Sequence, residues 1–470
     1  MKYFILLCAT IFSIGCSAQL SDKKEAIAID DSLGIALIQV PKDFYFTESK
    51  TLSFGAVSYT IQVGDTLRLV DANKKSYHAY TTTYPIIQIQ APEGIVNEPK
   101  RMTQVSYAAG DTIFTAAAGV ELRGGSSIKF AKKTYDLNFY TDQTGTENLD
   151  VQLAGMRSDD DWILDAIYNE PLRMRSHLGF ALWRDIHKPY YRDREPKAKA
   201  GITSAFVEVF VNNRYKGIYL LTEQVDRKLL DLKKQEGTVT HGELFQGAMY
   251  RGAITFDSIT KKNNNFKFWG GYDIKYPDEL DTYWDNLYPF TDFVINSKDE
   301  DFKAGIASQF ELDNFIDYFL FINLLRAPDN LGKNVYVARY DIGEPYFYVP
   351  WDLDGTFGSL FSGERSPMTV DFLTNGLLRR LIKTNAADFN NRFRDRWQEL
   401  RNTHFDEDKL LERQEKWYRI FKEDGVYDRE KLIWKDLNDD QEQLEYMQKW
   451  TKKRLAFLDM YIGKLGREKE

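Results

Sequence analysis

The sequence predicts an α+β protein, with its strands gathered early and its helices late. Three observations carry this. Between about residues 20 and 82, short segments alternate apolar and polar residues and are cut by Gly-Asp and Asp-Ala-Asn turns. In the middle, strand pairs and amphipathic helical segments are interspersed. From Asp371 onwards, four segments carry apolar residues at i, i+3, i+4 spacing. Sheet-rich first and helix-rich last is an α+β order.

In the first part, "ALIQVP", "YFTESKTLSFG" and "YTIQVGDTLRLV" read as strands of a small β-rich region spanning 19–82. A larger domain follows over 83–466. "YPIIQIQAPEG" reads as a buried strand, and "GVELRGGSSIKFAKKTYDLNFY" as strand, Gly-rich turn, strand. "EPLRMRSHLGFALWRDI" has helical spacing through Leu172, Leu178, Leu182 and Ile186. "AFVEVFVNNRYKGIYLLTEQVD" is a hairpin turning at Asn212-Asn213. "ELDNFIDYFLFINLLRAP" is an amphipathic helix ending near Pro328, and "NVYVARYDIGEPYFYVPWD" a second hairpin turning around Ile342–Pro345. The late helices are "DFLTNGLLRRLIK", "FNNRFRDRWQELRN", "DEDKLLERQEKWYRIFK" and "QEQLEYMQKWTKKRLAFLDMYIGKL".

Composition narrows the function classes. The 470 residues suffice for more than one domain, and 43% hydrophobic with 28% charged residues is globular material. Aromatics reach 14%, which suits a sheet-rich core and also suits sugar-facing surfaces, for which Trp269 and Tyr272 are candidates. A net charge of -8 excludes the basic footprint of a nucleic-acid binder. The start, "MKYFILLCATIFSIGCSAQL", reads as an export signal over residues 1–18: Lys2, then an apolar stretch too short to span a bilayer. It is cleaved before Gln19, or at a loose lipobox that leaves a lipid on Cys16 as the only tie to a membrane. Cys8 and Cys16 are the only cysteines, so the mature chain has no disulfide and no thiolate metal site. The five His show no metal-ligand spacing, and no G-x-S-x-G elbow occurs.

The chemistry-bearing residues cluster around the second hairpin. Asp329 lies in the loop before it, and Asn334 follows five residues later. Protein kinases use this spacing for a catalytic Asp and a metal-binding Asn. Taken alone the pair reads as well as a turn residue and a strand-start cap. The returning strand delivers Asp352 and Asp354, two apart, so that in extended backbone both project to one side. Carboxylates after an apolar strand are costly without a counter-charge, and Mg²⁺ supplies one. Gly124-Gly125, with Ser126 and Ser127, would let the backbone approach a ligand. Lys133 is then the candidate phosphate lysine, while Lys129 and Lys132 read as a solvated face. Glu170 reads as a partner of Lys133 or as a first-turn helix acid, and Glu223 as a hinge acid or a strand-end acid.

Taken in order, "LRGGSSIKFAKKTYDL", "DDDWILDAIYNEPLRMRSHLGFALWRDI", "VEVFVNNRYKGIYLLTEQVD", "PDNLGKNVYVAR" and "VPWDLDGTFG" resemble the CotH kinase-like family, named for a spore coat protein, over roughly Tyr84 to Leu465. The resemblance implies an atypical, two-lobed protein-kinase-like fold that binds ATP and Mg²⁺ (or Mn²⁺). It casts Asp329 as the catalytic residue and Asp352 as metal-binding, with Asn334 and Asp354 beside it. Arg123, Gly124, Gly125, Ser126 and Lys133 would lie over the nucleotide, and Glu223 at the hinge. The family's usual Arg-Gly-Asn-Ser is Arg123-Gly124-Gly125-Ser126 here, a change that bears on hydrogen bonding to phosphate. Two functions compete: an exported kinase acting on Ser or Thr of an exported or surface protein, and a non-catalytic surface or secreted module built on the same fold.

Overall fold

The structure, a computed structural model, describes residues 26–42, 44–54, 57–278 and 283–466. The export signal and Cys16 lie outside the described residues. The chain divides into two compact units.

The first unit comprises 1–122, 136–161 and 207–216. Its N-terminal part is a six-stranded sheet in the order Ala26–Asp30, Ile35–Gln39, Ser76–Thr82, Arg68–Asp71, Val57–Gln62, Lys50–Phe54. Ile35–Gln39 and Ser76–Thr82 run parallel; their neighbours pair antiparallel. Alternation in the strands sends Ala36, Ile38, Leu52, Ile61, Leu69, Tyr77 and Ala79 into one core. In the same unit Ile86–Gln90 pairs antiparallel with Arg101–Ala109, and Arg101–Ala109 with Thr112–Arg123.

A seven-stranded barrel closes in the order Thr134–Tyr140, Asp161–Asp165, Arg214–Thr222, Ser204–Val211, Ile86–Gln90, Arg101–Ala109, Thr112–Arg123. Closure removes exposed sheet edges. The hairpin within it turns at Asn212 and Asn213, with φ of 50° and 57°. Positive φ at both central residues is the turn whose twist matches the strands, and Asn tolerates it.

The second unit comprises 123–135, 162–206 and 217–470. Its five-stranded antiparallel sheet has the order Phe268–Trp269, Tyr272–Tyr276, Glu243–Gly247, Val335–Arg339, Tyr346–Pro350. Against it packs the helix Leu312–Leu325, buried at nearly every position. The expectation of an amphipathic helix is corrected: apolar residues surround it because it is a core helix. Buried Asn314 accepts from Tyr348 N–H at 2.7 Å and donates to Tyr348 C=O at 2.9 Å, so an amide supplies the pairing that the edge strand Tyr346–Pro350 lacks.

Helices dominate after Asn375: Gly376–Thr384, Phe389–Arg401, Glu407–Glu423, Val426–Lys431 and Gln441–Gly463. Buried Arg454 of the last donates to Asn323 C=O at 2.7 Å and Thr369 C=O at 2.9 Å, fastening it beside the core helix. No helix among the described residues is long and apolar enough to cross a membrane. Trp269 and Tyr272 are buried, with the indole N–H of Trp269 donating to Thr260 C=O, so they are core residues and no sugar platform.

Candidate active site

The core helix ends at Leu325, with Arg326 in the left-handed region at φ 49°, and Pro328 opens a single turn, Pro328–Leu331. Asp329 lies in this turn. Its carbonyl accepts from Lys333 N–H at 2.8 Å and Asn334 N–H at 3.1 Å, which folds the loop back and sets Asn334 at the head of the strand Val335–Arg339. Buried Asn330 joins the two ends of the hairpin. Its amide donates to Asn334 C=O at 2.6 Å and Trp351 C=O at 2.8 Å, while Tyr318 Oη donates to the Asn330 carbonyl at 2.6 Å. The loop is thereby pinned from below by the core helix.

Past Pro350 the backbone leaves the strand, and Asp352 has φ 49°. The expectation that Asp352 and Asp354 share a side through extended backbone is therefore corrected: a left-handed residue, uncommon outside Gly, turns the chain there. Both nonetheless line one cavity of about 330 Å³, together with Arg123, Gly124, Gly125, Lys132, Asp165, Asn169, Tyr250, Asp329, Lys333 and Asn334. Every residue lining it belongs to the second unit. Its size reaches the lower end of ligand sites, about 300–1,000 Å³.

The Gly-rich wall depends on Gly124. Its φ is 121°, and a Cβ there would sit 2.0 Å from Ser127 Oγ. Opposite, Asn169 donates to Asp354 Oδ2 at 2.9 Å. Asp165 accepts from Ile167 N–H at 3.1 Å and, more weakly, from Thr134 Oγ1 at 3.4 Å.

Four carboxylates thus face one space. Crowding by protein, then the charges of Asp354 and Asp165, push Asp352 well above the usual carboxylate range. Its side chain is nevertheless open to the cavity, so the facing charges are the firmer cause. Desolvation, with Asp165 and Asp329 adding repulsion, pushes Asp354 up to about 6 although Asn169 opposes this. Asp165 is raised too, chiefly by burial. Acids held together against their own repulsion fit a divalent cation, which prefers carboxylate and amide oxygens.

Not every anticipated residue is here. Lys133 does not line the cavity: its ammonium donates to Ile128 C=O at 2.6 Å and Phe130 C=O at 2.5 Å, closing the turn before the strand. Lys132, expected on a solvated face, is buried against the cavity wall. It pairs with Glu430 Oε1 at 3.0 Å, donates to Ile218 C=O, and lies 4.6 Å from the Tyr219 ring centroid. The strand's alternation, with Tyr135, Leu137 and Phe139 buried, gives no cue to this, because Lys132 precedes the strand and shares parity with its less buried positions.

Glu170 pairs with Arg175, at 2.9 Å to Nη1 and 2.8 Å to its N–H, and not with Lys133. Glu223 is buried away from the cavity, accepting from Lys199 Nζ at 2.6 Å and Thr203 N–H at 2.7 Å, and there holds the hairpin end. Ser126 falls in the turn Ser126–Lys129, and its side chain is outside the described part. Asp165, Asn169, Arg173 and Glu430 were not anticipated. Arg173 donates to Ile167 C=O at 2.6 Å and Glu170 C=O at 3.0 Å, and its Nε reaches Glu430 Oε2 at 3.0 Å. Glu430 therefore braces both Lys132 and the loop carrying Asn169.

An Asp and Asn on a helix-to-hairpin loop, two acids at the hairpin's return and a Gly-rich turn around the same cavity are the parts of a kinase-like protein. The chain belongs to the CotH kinase protein family, whose model matches residues 120–458. It is similar to the inner spore coat protein H of Bacillus subtilis (strain 168), at 24% identity over 257 residues, 54% of this chain. The matched part spans 62% of the length of that relative.

Proposed function

We propose that this chain is an exported atypical protein kinase that uses ATP with Mg²⁺ (or Mn²⁺) and phosphorylates Ser or Thr of an exported or surface protein. The observation that carries the reading is the meeting of Asp329, Asn334, Asp352 and Asp354 with Arg123–Gly125 on one cavity. In this reading 83–466 is the kinase-like domain, and 19–82 a separate β-rich region held outside the cytoplasm or at the envelope through Cys16.

Each residue has work suited to its surroundings. Asp329 orients an acceptor hydroxyl and takes its proton. Asp352 and Asp354, with Asn334, are the oxygen donors that would hold Mg²⁺, which neutralises phosphate charge when bound. Asn169 aims Asp354. Arg123, whose guanidinium lies 5.2 Å from the Trp351 ring centroid, and Lys132 bring positive charge to the phosphate side. The backbone at Gly124 and Gly125 allows close approach.

A second reading is a surface module that retains the cavity without turnover. The export signal favours it, since ATP is scarce outside the cytoplasm. Thermal unfolding with nucleotide distinguishes a nucleotide site from none. ATP with Mg²⁺ should raise the melting temperature of the mature chain by mass action, and Asp352→Ala should remove the Mg²⁺-dependent part. Saturating ATP with no shift under any divalent cation would move the assignment to the non-nucleotide module.

A further inference from the structure

Tyr250 stands where an incoming hydroxyl would be needed. It lies on the segment after the strand Glu243–Gly247, lines the cavity and is 57% exposed. Its Oη donates to Asp329 Oδ2 at 3.4 Å, a long contact to the carboxylate read above as the base. Lys333 Nζ is 3.4 Å from the same Oη and 5.3 Å from the ring centroid. The phenol hydroxyl thus lies between a carboxylate oxygen, which can accept its proton, and the side-chain nitrogen of Lys333.

The placement is built into the backbone. A Cβ on Gly247 would lie 2.3 Å from Gly332 C=O, and one on Gly332 would lie 2.5 Å from Met249 C=O. The segment carrying Tyr250 therefore rests directly on the loop carrying Asp329, and two glycines permit that closeness.

We propose that Tyr250 is a phosphoacceptor of its own active site. This rests on the kinase reading and names a modification site for it. Tyr250 Oη attacks the γ-phosphorus of ATP as substrate. The bond from that phosphorus to the β,γ-bridging oxygen breaks, ADP leaves with the electron pair, and the phenol proton passes to Asp329. The product is phosphotyrosine at 250, carrying close to two negative charges beside Asp329 and Lys333. Lys333 pairs with it, and the swollen side chain no longer fits over the base.

The test uses the purified mature chain with ATP and Mg²⁺, mapped by mass spectrometry, with dephosphorylated casein as a second acceptor. Phosphate is expected on Tyr250, at an initial rate per chain unchanged by dilution. Asp329→Asn should lower that rate about 10²–10⁴-fold, the usual loss on removing a general base. A readout without turnover accompanies it. Nitration of Tyr250 by tetranitromethane should slow when a non-hydrolysable ATP analogue and Mg²⁺ are added, while nitration of exposed Tyr45 should not. Asp329-dependent phosphorylation of casein with Tyr250 unmodified would overturn the proposal and leave the kinase reading standing. No Asp329-dependent phosphate on any acceptor would overturn both. Faster casein phosphorylation by Tyr250→Phe, with no phosphate on Tyr250 in the unaltered chain, would make the tyrosine a cap over the base and overturn its role as acceptor.

Discussion

Lys132 Nζ lies 3.0 Å from Glu430 Oε1, and both side chains are fully buried. The same carboxylate accepts from Ile218 N–H at 2.8 Å and Arg173 Nε at 3.0 Å, so one acid from the helix Val426–Lys431 satisfies three donors. Removing one partner of such a pair strands charge in a dry place. Glu430→Ala is expected to destabilise the chain by about 3–5 kcal/mol, read by urea unfolding. Loss below about 1 kcal/mol would mean the pair behaves like an exposed one.

The two adjacent lysines should separate by function. Lys132→Met should weaken nucleotide binding, seen as a smaller ATP-induced thermal shift, and should also lower stability, because buried Glu430 keeps only Arg173 and the Ile218 N–H as donors. Lys133→Met should leave the ATP-induced shift intact and cost only the closure of the turn. Equal nucleotide shifts in Lys132→Met and the unaltered chain would remove Lys132 from the site.

Much of this architecture is written in local pattern, and the rest is not. The hairpins at Asn212-Asn213 and Ile342–Pro345 follow from turn residues within a few positions, and the late helices from their spacing. The Asp329, Asn334, Asp352 and Asp354 set was legible because one loop and one hairpin carry it. Lys132 was misread because its partner is 298 residues away, and a buried lysine looks like a solvated one until that partner is known. Asp165 and Asn169 were missed for the same reason: Asn169 acts on Asp354 across 185 residues. Asp352 defeated the extended-strand argument because it takes the left-handed backbone that Asp adopts more readily than most residues, and so turns the chain before Asp354.

The acid cluster predicts a pH dependence. Asp354 is pushed up to about 6 by desolvation and by its neighbours' charges, and Asp352 is raised as well. A carboxyl with a raised folded value holds its proton longer in the folded state than in the unfolded one. Its contribution is therefore fully present below the unfolded value and is lost as pH rises through about 6. In metal-free buffer Asp354→Asn should raise the melting temperature relative to the unaltered chain at about pH 8, with the difference shrinking towards about pH 5. Mg²⁺ should stabilise the unaltered chain more at the higher pH, because binding must displace protons at the lower. A difference independent of pH would contradict the clustering of charge.

The most direct measurement is transfer of labelled γ-phosphate from ATP, with Mg²⁺ or Mn²⁺, by the purified chain and by Asp329→Asn prepared in parallel. Transfer by the unaltered chain is expected, with a loss of about 10²–10⁴-fold in Asp329→Asn and ATP-induced thermal shifts that remain alike in both. Equal transfer by the two chains, or nucleotide binding with no transfer by either, would contradict the kinase reading.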